Sequence, residues 1–172
     1  MSVSSVYLAL GSNMGDREQN LKAALQNLNT NKILRVCNTS SVFETEPKYV
    51  TKQPDFLNMV IEGSTELEAI ELLNACKRIE KEMGRNFQEK RFGPRIIDID
   101  ILFYGSEIIG EERLTIPHPK IAERRFVLEP LTEIACGFVH PQLHWKVSDL
   151  LNKCQDSGRV NKIKSTHSWI SH

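Results

Sequence analysis

The sequence has little of what marks secreted, zinc-stabilised or membrane proteins. Its 172 residues include four cysteines, scattered without a Cys-x-x-Cys pair. That spacing argues against a structural zinc site and a disulfide framework, and it fits a reducing compartment. The first residues form a short apolar run with no basic lead, and no apolar stretch is long enough for a membrane span. We therefore expect a soluble, cytoplasmic protein that has no membrane partner.

The chain also lacks an excess of charge of either sign. Lys and Arg together number 22, as do Asp and Glu, so the formal net charge is zero. Because no global field attracts a polyanion, we expect no nucleic-acid partner. A hydrophobic content of 40% is enough for one ordinary core. We predict a single domain over residues 1–154 and, since residues 155–172 show no apolar pattern, a C-terminal tail or linker there.

Apolar periodicity predicts a β-α-β-β-α-β order for the first part of the chain. The α/β (α+β) fold with this order is ferredoxin-like, with an antiparallel sheet and both helices packed on one of its faces. Short strands and helices are expected to follow this core. The predicted strands span residues 3–10, 33–45 with an interruption near 38–41, 56–64, 96–104, 107–109 and 114–116, and the two later helices span 126–134 and 147–154.

Capping signals mark the two core helices. Asp16 followed by Gln19 predicts the start of the first helix. Thr65 and Glu68 have capping-box spacing, and the helix that follows them is expected to end at Gly84.

Two aspartates interrupt the apolar strand Ile-Ile-Asp-Ile-Asp-Ile-Leu-Phe-Tyr at 96–104. Because side chains alternate along a strand, Asp98 and Asp100 share one face while Ile99 and Ile101 pack on the other. Like charges about 7 Å apart repel, so a positive group is expected over that face. Mg²⁺ commonly binds through one or two carboxylates plus substrate phosphates, and a plain cluster of ion pairs with nearby arginines is the structural alternative.

The segment before this strand is rich in cations. Arg85, Lys90, Arg91 and Arg95 concentrate positive charge beside the carboxylates. Arginine forks match phosphate oxygens, so the combination suits a metal-bound polyphosphate. A solvated basic loop that neutralises two acids fits the charges equally well.

Other candidate residues lie outside this block. His118 stands between two prolines and precedes Arg124 and Arg125, so it suits a second phosphate contact or a structural role. Phe56 and Asn58 share a strand face and, with Phe92 and Phe126, could hold a flat heterocycle and recognise its edge, although core packing is the default for any single Phe. The glycine-containing turn at 11–15 lacks the spacing of a phosphate-binding loop and indicates a tight turn.

Five segments together resemble the family of 6-hydroxymethyl-7,8-dihydropterin pyrophosphokinases of folate biosynthesis. They occur in family order between about residues 6 and 131, and the central block is the most specific of them. The matching segments are Leu-Gly-Ser-Asn-Met-Gly-Asp at 10–16, Thr-Glu-Pro at 45–47 through Gln-Pro-Asp-Phe-Leu-Asn at 53–58, Glu80 to Arg85, Arg-Phe-Gly-Pro-Arg-Ile-Ile-Asp-Ile-Asp at 91–100, and Pro-His-Pro at 117–119 through Phe126.

The resemblance implies transfer of the pyrophosphoryl group of ATP to the pterin hydroxymethyl group, with release of AMP. It also implies two Mg²⁺ ions on Asp98 and Asp100, and contacts from Arg85 and Arg95 to the moving phosphates. The nucleotide would contact Lys77, Glu80, Arg91, Ile101, Arg113, Thr115, His118 and Arg124, and the pterin would contact Thr45, Glu46, Pro47, Phe56, Asn58, Phe92 and Phe126.

Two other functions remain open on the residues alone. Nucleotidyl transfer also uses paired aspartates on a ferredoxin-like sheet, and it would release pyrophosphate from ATP. An RNA-binding module uses the same topology, but a net charge of zero weighs against it. The sequence also leaves open whether the chain acts alone or as part of a multifunctional folate protein.

Overall fold

A computed structural model describes residues 2–84 and 91–170 of the chain, and six strands in these residues form one antiparallel sheet. Within the same residues, four segments form α-helices. The strands of the sheet are β1 (Ser4–Ser12), β2 (Arg35–Thr39), β3 (Val42–Thr45), β4 (Phe56–Thr65), β5 (Asp98–Tyr104) and β8 (Val160–Lys164). A separate pair consists of β6 (Ile109–Gly110) and β7 (Thr115–Ile116), and the helices are α1 (Arg17–Thr30), α2 (Ala69–Glu82), α3 (Arg125–Ala135) and α4 (Val147–Lys153).

The sheet lies between two helical layers. Its order is β5-β1-β4-β3-β8, with β2 also paired to β4. One core contains buried residues of α1 and α2, such as Leu25 and Leu72, and the other contains residues of α3 and α4, such as Leu128 and Leu150. The predicted ferredoxin-like order is confirmed, with α1 and α2 on one face. No helix of the described residues is long and apolar enough to span a membrane.

The predicted interruption of the second strand lies at Ser40 and Ser41, between β2 and β3. The Ser40 amide donates to the Val60 carbonyl at 2.8 Å, and the Ser40 hydroxyl accepts from the Val60 amide at 2.8 Å. A serine side chain thus takes the place of a backbone carbonyl, because a buried amide needs an acceptor. The sheet remains paired while the strand bends.

One capping prediction is confirmed and one is wrong. Asp16 accepts from the Gln19 amide at 3.0 Å at the start of α1. At α2, however, Glu68 is the capping residue and its amide donates to Glu71 at 2.9 Å. Thr65 does not take this role because it is still within β4. Its hydroxyl donates to the Ile33 carbonyl at 2.7 Å and accepts from the Leu67 amide at 3.1 Å.

The segment after residue 154, predicted to be a tail or linker, contains the outermost strand of the sheet. β8 pairs with β3 from Val160 opposite Thr45 to Lys164 opposite Val42. Beyond it, the Thr166 hydroxyl donates to the Ser40 carbonyl at 2.7 Å. Periodicity did not indicate this strand because its side chains are almost all exposed. The division of the chain at residue 154 stays a prediction.

Gly63 allows two segments to pack closely on β4. A Cβ atom built there lies 2.6 Å from the Leu34 Cγ atom and 2.7 Å from the Arg35 carbonyl oxygen. Gly110, in contrast, has no atom within 4 Å of its built Cβ atom.

We expect Gly63→Ala to lower the free energy of unfolding by about 1–3 kcal/mol, as overpacking does. Gly110→Ala is the matched control and should change it by less than about 0.5 kcal/mol. Urea unfolding of both variants measures the difference. Equal stabilities would contradict the close packing at Gly63.

Candidate active site

The pleat of β5 directs its two aspartates and its isoleucines to opposite faces of the sheet. Ile99 and Ile101 are buried in the core beneath α1 and α2. Asp98 and Asp100 line a cavity of about 330 Å³ on the other face, which we call the main cavity. The alternation predicted from the sequence is therefore present.

The main cavity collects most of the residues predicted for a site. Its floor includes Gly11 of β1, which pairs with Asp98 on one side and with Asn58 on the other. The cavity thus extends from the carboxylates of β5 to the amide of β4. The predicted residues that line it are Thr45, Glu46, Phe56, Asn58, Arg91, Phe92, Arg95, Asp98, Asp100, His118, Arg124 and Phe126.

Arg95 is the positive group expected over the carboxylates. Its Nη1 atom lies 3.0 Å from both oxygens of Asp98. Burial, reinforced by the charge of Asp98, raises the pKa of Asp100 well above its ordinary value. Arg95 therefore neutralises the charge of Asp98 directly, and a further positive charge would stabilise the ionised form of Asp100.

This electrostatic setting fits Mg²⁺ bound together with phosphate oxygens. No group of three His, Cys, Asp or Glu side chains suited to a metal occurs within 2–84 and 91–170. A site made only of protein ligands is therefore not indicated there. Two carboxylates are the complement that Mg²⁺ commonly takes from a protein when substrate phosphates and water supply its other ligands.

Glu80 and Lys77, both predicted near a nucleotide, lie behind β5. The Glu80 side chain is fully buried and accepts from the Ile99 amide at 2.8 Å. Lys77 approaches the other Glu80 oxygen at 3.1 Å. Ile99 is the residue between the two aspartates, so Glu80 fixes the backbone from which both side chains project.

A smaller cavity of about 230 Å³ adjoins the main one, and Asp100 and His118 line both. The predicted nucleotide residues Ile101, Arg113 and Thr115 line this side cavity. The Arg113 guanidinium is held by Asn74 Oδ1 at 2.7 Å. A ligand with two ends could therefore pass over the carboxylates from one cavity to the other.

His118 is positioned by its own backbone. Its amide donates to the Leu102 carbonyl at 3.0 Å, and its Nδ1 atom accepts from the Lys120 amide at 3.1 Å. Burial, together with the positive charge of Arg124, lowers the pKa of His118 to about 4. The imidazole is neutral at pH 7, and its Nε2 atom carries the proton.

At the opposite end of the main cavity, Asn58 is held in one orientation. Its Nδ2 atom donates to the Thr45 hydroxyl at 2.6 Å, and a Cβ atom built on Gly11 would lie 2.6 Å from its Oδ1 atom. Among the described residues, the side-chain amide thus has one hydrogen-bond partner, and its oxygen lies beside the cavity. Phe56 and Phe126 are the flanking aromatic residues.

Tyr49 was not predicted and lies over Phe92. The two rings stack with centroids 4.3 Å apart, and the Arg124 Nε atom donates to the Tyr49 hydroxyl at 3.0 Å. The guanidinium of Arg91 lies 4.9 Å from the Phe92 ring. A lone Tyr in a polar loop gives no sequence signal of such stacking.

Asn13 is a second residue that sequence reasoning missed, although it lies in the motif at residues 10–16. It is buried, and its Nδ2 atom donates to Gln53 Oε1 and the Pro54 carbonyl, each at 3.0 Å. Its Oδ1 atom accepts from the Arg95 amide at 2.7 Å. The turn after β1 therefore sets the position of the backbone that carries Arg95. An asparagine in a turn indicates backbone hydrogen bonding, but the partner segments emerge only from the fold.

Some predicted residues lie elsewhere. Arg85 and Lys90 lie outside the described residues. Pro47 is not in the lining of the main cavity but borders a hollow behind it, and Glu46 borders both.

A carboxylate pair, surrounding cations and a ferredoxin-like sheet form an arrangement suited to a metal-bound polyphosphate. The family model described as 7,8-dihydro-6-hydroxymethylpterin-pyrophosphokinase matches residues 7–136. This chain belongs to that family.

Relatives are found both as separate enzymes and as parts of longer proteins. The 2-amino-4-hydroxy-6-hydroxymethyldihydropteridine pyrophosphokinase of Bacillus subtilis is 47% identical over 159 residues, which cover 92% of this chain and 91% of that protein. A folate synthesis bifunctional protein of Arabidopsis thaliana is 51% identical over 129 residues, covering 75% of this chain and 26% of that protein. The chain thus spans about a quarter of the plant relative's length.

Solved structures support the fold. The wild-type HPPK-DHPS of Plasmodium falciparum superposes with a TM-score of 0.70 at 18% identity, over 88% of this chain and 45% of that one. At this identity the likeness concerns the fold alone.

His118 should make stability depend on pH. An unfolded histidine has a pKa of about 6.5, whereas the folded value is about 4. Between these values the unfolded chain binds a proton that the folded chain does not, so stability is fully present above pH 6.5 and is lost as pH falls toward 4.

His118→Asn keeps an Oδ1 atom that can accept from the Lys120 amide. Between pH 7 and 4.5, we expect its free energy of unfolding to fall by about 2 kcal/mol less than that of the unsubstituted chain. Urea unfolding at both pH values measures this. Parallel losses in the two proteins would contradict a buried, neutral His118.

Proposed function

We propose that this chain transfers the pyrophosphoryl group of ATP to the hydroxymethyl group of 6-hydroxymethyl-7,8-dihydropterin, yielding the pterin diphosphate and AMP. The observation that carries the proposal is the continuity of the main cavity between the Asp98 and Asp100 carboxylates and the Asn58 amide. One end suits a polyphosphate, and the other suits a flat, polar heterocycle.

At the nucleotide end, Asp98 and Asp100 would hold two Mg²⁺ ions together with ATP. Bound there, the ions would neutralise charge on the phosphate oxygens. Arg95, already beside Asp98, would contact the transferred phosphates when the ions take over the carboxylates. Arg85 is assigned the same role by resemblance. His118 would donate from Nε2 to a phosphate oxygen, with Arg124 alongside.

The adenosine would occupy the side cavity. Ile101 provides an apolar surface there, and Arg113 and Thr115 provide polar contacts. Lys77 and Glu80 would act from behind β5, because Glu80 fixes the Ile99 amide between the two carboxylates.

At the pterin end, Asn58 and Thr45 would hydrogen-bond the edge of the ring while Phe56 and Phe126 stack on its faces. Glu46, Pro47 and Phe92 would complete the surroundings. The pterin hydroxyl oxygen would attack the β-phosphorus, and the bond from that phosphorus to the α,β-bridging oxygen would break. AMP would leave with the bridging oxygen, and the hydroxyl proton would pass to solvent. Positioning and charge neutralisation account for most of such a reaction, so a dedicated general base is not required.

The cellular setting is also a proposal. We infer a cytoplasmic enzyme that acts alone or joined to other folate enzymes. The plant relative is named a bifunctional protein, and a relative from Pisum sativum is named mitochondrial. These names describe the relatives.

Incubating the protein with ATP, Mg²⁺ and 6-hydroxymethyl-7,8-dihydropterin should yield AMP and the pterin diphosphate. Chromatography of the nucleotides distinguishes the alternatives. ADP would indicate a monophosphoryl kinase, and pyrophosphate release would indicate nucleotidyl transfer. RNA binding without nucleotide turnover would favour the binding module.

Asp98→Ala should lower kcat by about a hundredfold or more, because it removes a metal-binding oxygen pair where charge develops. Glu66→Ala removes an exposed carboxylate and is the control. Steady-state AMP production and thermal unfolding are measured for both. Full activity of the folded Asp98→Ala variant would overturn the role of the carboxylate.

Gly11→Ala should impair recognition of the pterin. The added methyl group displaces Asn58 Oδ1 from its position 2.6 Å away, and loss of one buried hydrogen bond costs about 1–3 kcal/mol. The KM for the pterin should therefore rise by roughly five- to a hundredfold, and by more than the KM for ATP. An unchanged pterin KM would show that Asn58 does not bind this substrate.

A further inference from the structure

The C-terminal residues 155–169, which we call the strap, lie beyond the part of the chain that the family model matches. β8 of the strap pairs with β3 as far as Thr45. The pairing continues one residue further, because the Glu46 amide donates to the Arg159 carbonyl at 3.2 Å and Glu46 Oε1 accepts from the Arg159 amide at 2.8 Å. The strap therefore contacts the residues where the proposed pterin site begins.

Residues 46–55 form one wall of the main cavity, to which they contribute Tyr49 and Gln53. Behind this wall is a hollow of about 500 Å³, bordered on its other sides by the strap and by Phe126 of α3. Packed side chains do not fill the space between the wall and its support. On the side of the hollow, the wall is therefore held by a few polar contacts. On the side of the main cavity, Asn13 holds Gln53 and Pro54.

Asp156 of the strap makes contacts with three segments. Its Oδ2 atom lies 3.2 Å from the Lys48 Nζ atom in the wall and accepts from the Arg125 amide at the start of α3 at 3.1 Å. Its Oδ1 atom accepts from the Gly158 amide at 3.0 Å. Although burial opposes ionisation, the donated amides and the Lys48 ammonium hold the pKa of Asp156 below its ordinary value.

The Asp156 carboxylate thus joins the two flanks of the proposed pterin site, which are also linked directly by the hydrogen bond from Arg124 to Tyr49. Lys48 belongs to the wall, whereas Arg125 lies between Arg124 and Phe126 on the other flank. Lys48 also donates to the Glu123 carbonyl at 2.6 Å, which extends the same junction. Asp156 does not itself line the main cavity, so a substitution there leaves the lining groups in place.

We propose that Asp156 is a positioning residue for pterin binding, which sets the distance between the 46–55 wall and the Arg124–Phe126 segment. This inference rests on the proposed function of the main cavity. Asp156 is a better candidate than Arg159, whose pair with Asp55 is more exposed: the Asp156 side chain is 12% exposed and that of Arg159 is 51% exposed. Exposed ion pairs contribute little to positioning.

Two variants separate the contributions of Asp156. Asp156→Ala removes all of its contacts. Asp156→Asn keeps one carbonyl oxygen in place of the two that accept from the Arg125 and Gly158 amides, and it removes the countercharge of Lys48. Lys164→Ala is the matched control, because Lys164 is in the same strap and pairs with Glu18, away from the main cavity.

Asp156→Ala should raise the KM for the pterin by about five- to tenfold, with kcat and the KM for ATP changing less than about twofold. Asp156→Asn should recover part of the thermal stability that Asp156→Ala loses but keep a raised pterin KM. Hydrogen exchange followed by mass spectrometry should show faster exchange in residues 46–55 of both variants. Lys164→Ala should show neither change.

Three results would overturn the inference: an unchanged pterin KM in the folded variants, an equal rise in the KM for ATP, or unaltered exchange in residues 46–55. If Asp156→Ala does not fold, Asp156→Asn decides by the same criteria. Hydrogen exchange does not depend on turnover, and AMP production by the unsubstituted chain tests the proposed function separately. A failure of either proposal is therefore distinguishable from a failure of the other.

Discussion

The arrangement of the whole site depends on the placement of two like charges on one face of β5. The strand can project Asp98 and Asp100 into the main cavity only because Ile99 and Ile101 anchor its other face in the core. Burial and mutual repulsion make the pair unfavourable by itself, as the raised pKa of Asp100 reflects. Arg95 offsets part of this cost, and the remaining demand for positive charge is what a metal-bound nucleotide would meet.

Hydrogen bonds to the backbone hold these two like charges in place. Glu80 accepts from the amide between the two aspartates, and Lys77 accompanies it. Asn13 ties the Arg95 backbone to the loop that forms the opposite wall. Because these links are made to backbone groups, the fold positions both the acids and their arginine, and the ion pair between Arg95 and Asp98 adds to this.

Much of the fold could be predicted because its signals are local. The alternation in β5, the cap at Asp16 and the order of the core elements follow from side-chain periodicity and backbone hydrogen bonding. The capping box was predicted three residues too early, at Thr65, because β4 continues through that residue and the helix begins only after Glu68. The strand β8 gave no signal because its side chains are exposed and its pairing is made by the backbone.

Most residues of the main cavity were predicted from sequence motifs. Tyr49, Asn13 and Asp156 were not, because their partners lie more than 25 positions away in the sequence. Asn13 pairs with Gln53, for example, and Asp156 pairs with Arg125.

The side chains of β8 also affect whether the exposed edge of the sheet can pair with another molecule. A strand at the margin of a sheet presents unpaired amides and carbonyls that invite another molecule to add a strand. Lys162 and Lys164 project from this margin with side chains 59% and 48% exposed. Their charges disfavour edge-to-edge association, so the segment that completes the architecture also protects the protein against aggregation along that margin.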